Sequence, residues 1–428
     1  MSNKKLNIVV AKKDLDLVVA RAGLAAMSEE GQSDMIRASN ETRGCIRIVA
    51  SGGKIVFESS VSRISARHVL TAGEGETEII SDGETCIPAK ELKTVSNKIK
   101  DGRKVSISFL PTPPDPTITA NPSMKAVLPD GVVEIGVISG SRVVSKTKIE
   151  SYPSFHFAAP QYQETSELTE VIKGTVACLK QPCNTVSFAV NDSDLKEVYD
   201  KFAIFPATDG ICFLGSDGRR AAVAFVKGDA FEEFLSSETD TPVLLDAKFL
   251  SPALSSLQDG APLVLGLDAE QDRAYLCSEN TTYCINMIDK ALRGKYPNYK
   301  RIMGLKTHVV VLVNRDELSE TMGLMNIVNN DRGTHTFCRD EQIVKISGRG
   351  IGVVKETTGS VAFTLSSEDT IKSNAISLNT QYLVEGLKRM SCDNVKMSFS
   401  EDELRVRIED EVEPKFVYFM QVMNPNEV

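Results

Sequence analysis

Residues 84–109 read ETCIPAKELKTVSNKIKDGRKVSISF. The phrase returns, altered, at 241–267 as TPVLLDAKFLSPALSSLQDGAPLVLGL and at 374–399 as NAISLNTQYLVEGLKRMSCDNVKMSF. Each copy opens with a short extended segment anchored on Ile87, Leu245 or Leu378. A helix pattern follows: Leu92, Val95 and Ile99 fall at helical spacing, as do Leu250, Leu254 and Leu257, and Leu383, Leu387 and Met390. The helix stops at Asp101-Gly102, Asp259-Gly260 or Asp393-Asn394. An alternating strand then begins: Val105, Ile107 and Phe109; Leu263, Leu265 and Leu267; Val395, Met397 and Phe399.

Two further anchors recur. GKIVFESS at Gly53, DGICFLGS at Asp209 and EQIVKISG at Glu341 each read as a turn followed by a strand. The distance from Ile55 to Ile87 is 32 residues, from Ile211 to Leu245 34, and from Ile343 to Leu378 35, too regular for chance. A helix is expected at the start of each unit: VAKKDLDLVVARAGLAA from Val10, TSELTEVIKGTVACLK from Thr165 and VNRDELSETMGLMNIV from Val313. In the middle copy Leu168, Val171, Ile172, Thr175 and Leu179 share one helical face. The chain therefore reads as three copies of one α+β domain of ~130 residues, each with two helices packed on antiparallel sheets. The boundaries set domains at 1–157, 158–304 and 305–428. One segment, 110–131, holds six of the 17 prolines and reads as an excursion from a hairpin in the first domain.

Composition adds limits. A chain of 428 residues with 42% hydrophobic and 25% charged residues suits a soluble multidomain protein. Its net charge of -9 argues against a simple basic nucleic-acid binder. The start, MSNKKLNIVV, has no cleavage pattern and no apolar run nears the ~18 residues of a membrane span, so neither signal peptide nor membrane segment is expected. The nine scattered cysteines form no CxxC pair and read as reduced thiols of the cytoplasm. No Walker loop, HExxH or G-x-S-x-G occurs, and His68, His156, His308 and His335 lie far apart. The run Gly348, Gly350, Gly352 sits where the other copies have strand, which suits a bulge better than a dinucleotide loop. No enzyme activity, cofactor or metal is expected.

The basic residues are unevenly placed. On the first repeated helix Leu92, Val95 and Ile99 face the core, while Lys90, Lys93, Asn97 and Lys100 form a stripe on another face. The middle copy offers Lys173 and Lys180 on its first helix, and Lys248 followed by Ser251, Ser255 and Gln258 on its second. The third offers Lys388 and Arg389. Any one of these is readable as an ordinary solvated face. Brought to one concave surface, they form a positive lane suited to phosphate backbone without base readout.

Several phrases resemble the bacterial sliding clamp, the beta subunit of DNA polymerase III, over essentially the whole chain. Where that family carries A-T-D-G-H-R-L-A, this chain has Gly215-Ser216-Asp217-Gly218-Arg219-Arg220-Ala221; where it carries G-R-F-P-D-Y-R-R-V, this chain has Gly294 through Ile302, GKYPNYKRI. Ile87-Pro88-Ala89-Lys90, Asn314 through Leu318 and Ile327-Val328-Asn329-Asn330 also match. The resemblance implies a homodimeric ring of six domains around duplex DNA, with helices lining the hole and the first domain of one copy against the third of the other. Val143, Val144, Ile327 and Val328 are assigned to that junction. Lys90, Lys93, Lys100, Lys173, Lys180, Lys248, Lys388 and Arg220 are assigned to the channel, in sequence-neutral contact with double-stranded DNA. The ring does no chemistry and tethers the replicative polymerase, with the clamp loader and other clamp-motif proteins as further partners. They dock in a hydrophobic pocket that carries over to Ser216, Gly218, Arg219, Arg220, Ala221, Pro297, Arg301, Ile302, Met420, Gln421 and Val422. This chain departs from the family at Gln421, where proline is usual, at Arg219, where histidine is usual, and in continuing through Val428. A clamp-fold scaffold that binds peptides but does not encircle DNA is the alternative reading. The protein is expected in the cytoplasm, on the nucleoid.

Overall fold

The computed structural model describes residues 5–28, 44–61, 63–111, 130–154, 157, 162–190, 198–235, 242–270, 272–287, 290–325, 333–338, 343–349, 356–365, 376–412 and 416–423. Within each repeat the chain runs strand, helix and three strands, twice over, with one extra short strand between the two passes in the first repeat (Glu78–Ser81) and in the second (Glu233–Phe234). In the third repeat the first pass is Thr307–Asn314, Arg315–Met325, Gly333–Cys338, Ile343–Arg349 and Glu356–Leu365. The second pass is Ile376–Leu378, Thr380–Leu387, Asn394–Ser400, Arg405–Asp410 and Phe416–Gln421. The three repeated helices fall where the phrase places them, at Ala89–Ser96, Ala247–Ser255 and Thr380–Leu387, followed by the strands Lys104–Pro111, Pro262–Leu267 and Asn394–Ser400.

The helix expected from Thr165 is corrected. A strand occupies Thr169–Thr175 and the helix begins only at Val176, running to Val186. Thr169, Val171, Ile172 and Thr175 are β-branched and favour an extended backbone, and pairing with Pro262–Leu267 fixes it. Lys173 therefore stands on a strand opposite Val264, not on a helix.

By internal packing the chain falls into two compact units, Met1–Ala177 with Lys248–Met287, and Cys178–Ala247 with Ile288–Val428. All three cuts pass through the middle repeat, because strand pairing ties its parts to different neighbours. In the first unit Thr281–Asn286 pairs antiparallel with Ile64–Thr71 of the first repeat, Tyr283 opposite Ala66. In the second, Arg220–Lys227 pairs with Phe416–Gln421 of the third repeat, Arg220 opposite Met420.

The first unit has one sheet ordered Glu78–Ser81, Asn7–Ala11, Lys104–Pro111, Gly131–Ser139, Arg142–Ser151. A second run is ordered Thr169–Thr175, Pro262–Leu267, Arg273–Ser278, Thr281–Asn286, Ile64–Thr71, Lys54–Ser60, Cys45–Ser51, Gly83–Pro88. Alternate residues such as Ile8, Val10, Ile46, Ile48, Val105 and Ile107 point inward and join Leu15, Val18 and Leu92 of the two helices in one core. The proline-rich segment leaves and rejoins this unit at one hairpin end, where Pro111 opposes Gly131; residues 112–129 lie outside the described residues.

The second unit is built on one twelve-strand sheet. It runs Val243–Asp246, Lys201–Ala207, Gly210–Ser216, Arg220–Lys227, Phe416–Gln421, Arg405–Asp410, Asn394–Ser400, Thr307–Asn314, Glu356–Leu365, Ile343–Arg349, Gly333–Cys338, Ile376–Leu378. Helices Arg315–Met325 and Thr380–Leu387 pack on each other. Gly386 lets the second of them seat closely: a Cβ there would fall 2.4 Å from Cδ1 of the Tyr418 ring.

Candidate functional site

The second unit holds a cleft of about 460 Å³. One wall is the turn between Gly210–Ser216 and Arg220–Lys227. Ser216 Oγ accepts from Gly218 N at 3.1 Å and donates to the Arg220 carbonyl at 2.7 Å. Asp217 Oδ1 accepts from Arg219 N and Arg220 N at 2.8 and 2.9 Å. This satisfies the backbone of a tight reversal, which Gly218 permits at φ 87°. A Cβ on Gly218 would touch the Tyr199 ring at 3.3 Å.

The second wall runs from Gly294 to Leu305. Tyr296 is buried, and its hydroxyl reaches the carbonyls of Lys201 at 3.1 Å and Leu214 at 3.3 Å, pinning the segment beneath the sheet. Burial raises the Tyr296 pKa, so the hydroxyl remains a donor. Asn298 accepts from Lys300 N at 2.8 Å and caps the short helix Tyr299–Met303. Tyr299 packs at a tilt against Phe205, with ring centroids 5.1 Å apart, and Arg301 and Ile302 beside it line the cleft. The floor is the end of Phe416–Gln421, with Phe419 and Met420 buried. The ladder does not stop where the family usually has proline: Gln421 N donates to the Arg219 carbonyl at 3.0 Å, a bond proline cannot make.

Behind the cleft Arg220 joins the middle repeat to the third. Its Nε donates to Asp217 Oδ2 at 3.1 Å and its Nη1 to Glu385 Oε2 on helix Thr380–Leu387. The guanidinium lies 3.9 Å over the Tyr382 ring. Burial opposes its charge, but Tyr418, Glu385 and Asp217 outweigh burial and raise its pKa. Arg220 is thus a brace at the cleft, fixed by carboxylates.

Ten of the residues carried over from the resemblance line this one cleft: Ser216, Gly218, Arg219, Arg220, Ala221, Pro297, Arg301, Ile302, Met420 and Gln421. Val422 is not among them; its N–H donates to the Leu404 carbonyl at 2.8 Å. Other lining residues, among them Tyr199, Lys295, Leu305, Arg405 and Phe419, are assigned no role in the pocket by the resemblance. Arg405 enters because it pairs with Gln421 across the sheet, a register no local motif announces.

On helix Ala89–Ser96 and the turns after it, Lys90, Lys93 and Lys100 are exposed while Leu92 and Ile99 are buried. Lys248 and Lys388 are exposed, and Lys173 and Lys180 half-buried. Val143 and Val144 are 48% and 58% exposed on Arg142–Ser151, the edge strand of the five-stranded sheet. Ile327 and Val328 lie outside the described residues. The first unit also buries a polar node. Arg21 donates to the Ser256 carbonyl at 3.2 Å and to Thr281 Oγ1 at 3.4 Å, with Glu279 at 3.8 Å. His68 Nδ1 lies 2.9 Å from the same Thr281 hydroxyl, and burial together with Arg21 lowers its pKa to about 4. Among the described residues no helix is long and apolar enough to cross a membrane.

Residues 300–424 match the family model described as DNA polymerase III beta subunit, C-terminal domain. No curated protein matches the sequence. Solved structures similar to the whole chain include a DNA polymerase sliding clamp from Caulobacter crescentus, at 14% identity and TM-score 0.76, covering 98% of this chain and 100% of that one. A sliding clamp (DNA polymerase III subunit beta) from Pseudomonas aeruginosa bound to griselimycin has 14% identity and TM-score 0.74, covering 98% and 99%. The DNA polymerase III beta subunit from Thermotoga maritima has 13% identity and TM-score 0.74, also covering 98% and 99%. The chain thus has the beta-clamp fold along its full length, three sheet-rich domains with few helices.

Proposed function

We propose that this chain, which has the beta sliding-clamp fold and a third domain matching the DNA polymerase III beta subunit, encircles duplex DNA and tethers a replicative polymerase. The observation that carries the reading is the likeness in fold to sliding clamps over 98% of the chain. Two copies close the ring, with Val143 and Val144 on the edge strand meeting the region of Ile327 and Val328. An exposed edge strand with apolar side chains is a surface that pairing with a second copy would cover. Lys90, Lys93, Lys100, Lys173, Lys180, Lys248 and Lys388 line the DNA channel as water-screened charges, which hold phosphate without reading sequence. Arg220 is left out of that set, because two carboxylates already hold it.

The cleft docks the tethered partners: polymerase, clamp loader and other proteins presenting a short apolar segment. Tethering raises the partner's effective concentration at the primer end with no chemistry by the ring itself. The site of action is the cytoplasm, on nucleoid DNA.

The test uses nicked circular DNA, a clamp loader and ATP. A ring stays on the circle at high salt and leaves once the circle is cut to a linear form. Binding that is salt-sensitive and indifferent to linearisation sinks the encirclement reading and favours a scaffold that docks peptides alone. A solution mass equal to one chain, unchanged by replacing Val143 and Val144 with Asp, sinks the dimer.

A further inference from the structure

We infer that the cleft recognises extended peptide segments in which apolar anchors are flanked by carboxylates, an acidic-hydrophobic motif and not a purely apolar one. The inference rests on reading the cleft as a peptide-docking site. No Asp or Glu lines it, yet Arg219, Lys295, Arg301 and Arg405 all do, and all four are exposed. They come from three separate elements: the turn after Ser216, the Gly294–Leu305 segment and the Arg405–Asp410 strand. Among the described residues no carboxylate holds any of the four in an ion pair. Arg220, in the same lining, shows the contrast, since Asp217 and Glu385 neutralise it.

The chain as a whole carries a net charge of -9, so four exposed cations around one opening, of which among the described residues only Arg405 has a nearby carboxylate, Asp402, acting on it through space, run against its average. Their mutual repulsion is relieved when an anionic ligand enters, which favours carboxylates at the rim over neutral groups. The floor between them is apolar, with Met420 buried and Ile302 half-buried, and a thioether repacks around differing aliphatic anchors. Single-stranded nucleic acid is the other polyanion to consider, but it needs open aromatic faces for stacking, and the rings in this lining are buried or half-buried. A peptide offers both the anchor and the charge.

The experiment is fluorescence anisotropy on the full chain with three matched synthetic peptides. All share two Leu anchors, and the flanking pair is Asp, Asn or Lys. The Asp peptide is expected to bind about tenfold tighter than the Asn peptide, the sum of two exposed charge pairs. The Lys peptide should bind weakest, and the Asp advantage should shrink as salt rises. The double variant Lys295→Gln/Arg405→Gln should erase that advantage; both residues are exposed, and an unchanged melting temperature checks that the fold survives. Equal binding of the Asp and Asn peptides overturns the inference and leaves the docking-site reading standing. Failure of all three peptides to bind a chain that melts normally overturns both. Tighter binding of a single-stranded oligonucleotide, lost in the same double variant, overturns the choice of ligand.

Discussion

Two arginines, Arg21 buried and Arg220 half-buried, tie successive repeats together, and they do so by different chemistry. Arg21 reaches from the first repeat to Ser256 and Thr281 of the second, through a carbonyl and a hydroxyl that His68 shares. Arg220 reaches from the second repeat to Glu385 of the third, clasped by two carboxylates and laid on the Tyr382 ring. The first joint balances its charge weakly, with Glu279 3.8 Å away and 47% exposed, and keeps the adjacent imidazole neutral. The second is a charge-compensated clasp. A shared fold therefore leaves each joint free to find its own electrostatic solution, and only the second adjoins the cleft.

Breaking the clasp is expected to have the largest effect. Arg220→Ala leaves Asp217 and Glu385 without their partner and should lower the unfolding free energy by about 3 kcal/mol in denaturant titration. Peptide binding at the cleft should fall with it. An unchanged midpoint would show that the clasp contributes nothing.

The first joint should respond to pH instead. The folded state holds His68 at about 4, below its ordinary 6.5. The unfolded chain therefore binds more protons between these values, and stability falls as pH drops through that window. The loss is about 2 kcal/mol between pH 7 and pH 5. Denaturant midpoints at the two pH values measure it, and His68→Gln should remove that part of the slope. Arg21→Met sharpens the same point with a smaller effect, about 1–2 kcal/mol, from two lost hydrogen bonds to buried acceptors. It should also raise the His68 pKa, read by NMR titration, because one of the two causes of its depression is gone. The smallest change in stability, under about 0.5 kcal/mol, is expected for Lys90→Glu/Lys93→Glu/Lys100→Glu, whose side chains touch no core. Loading onto nicked circles should nonetheless drop sharply, with peptide binding intact.

The anchors of the repeat were legible because Asp-Gly and Asp-Asn turns and alternating strands are local signals. The strand that precedes each opening helix was not. At Thr169–Thr175 its apolar residues run straight into those of the helix, and the combined string mimics a single helical face. A buried strand does not alternate, so periodicity alone cannot part it from the helix at its end. Of the cleft, the runs 216–221 and 297–302 were readable through resemblance, as contiguous phrases. Lys295 lies inside the matched phrase 294–302, at a position to which the resemblance assigns no role. Arg405 and the Arg220–Glu385 clasp carried none, since only strand register in the first case and the packing of helix Thr380–Leu387 in the second bring together residues 16 and 165 positions apart.

Gln421 has a kinetic consequence. Its N–H extends the ladder to the lip of the cleft, so the floor is finished before any ligand arrives. A ligand there orders itself and little of the protein, which keeps association near the rate of productive encounter. Differences among ligands then appear mainly in how long each stays, and exchange of one ligand for another at the cleft is governed by departure.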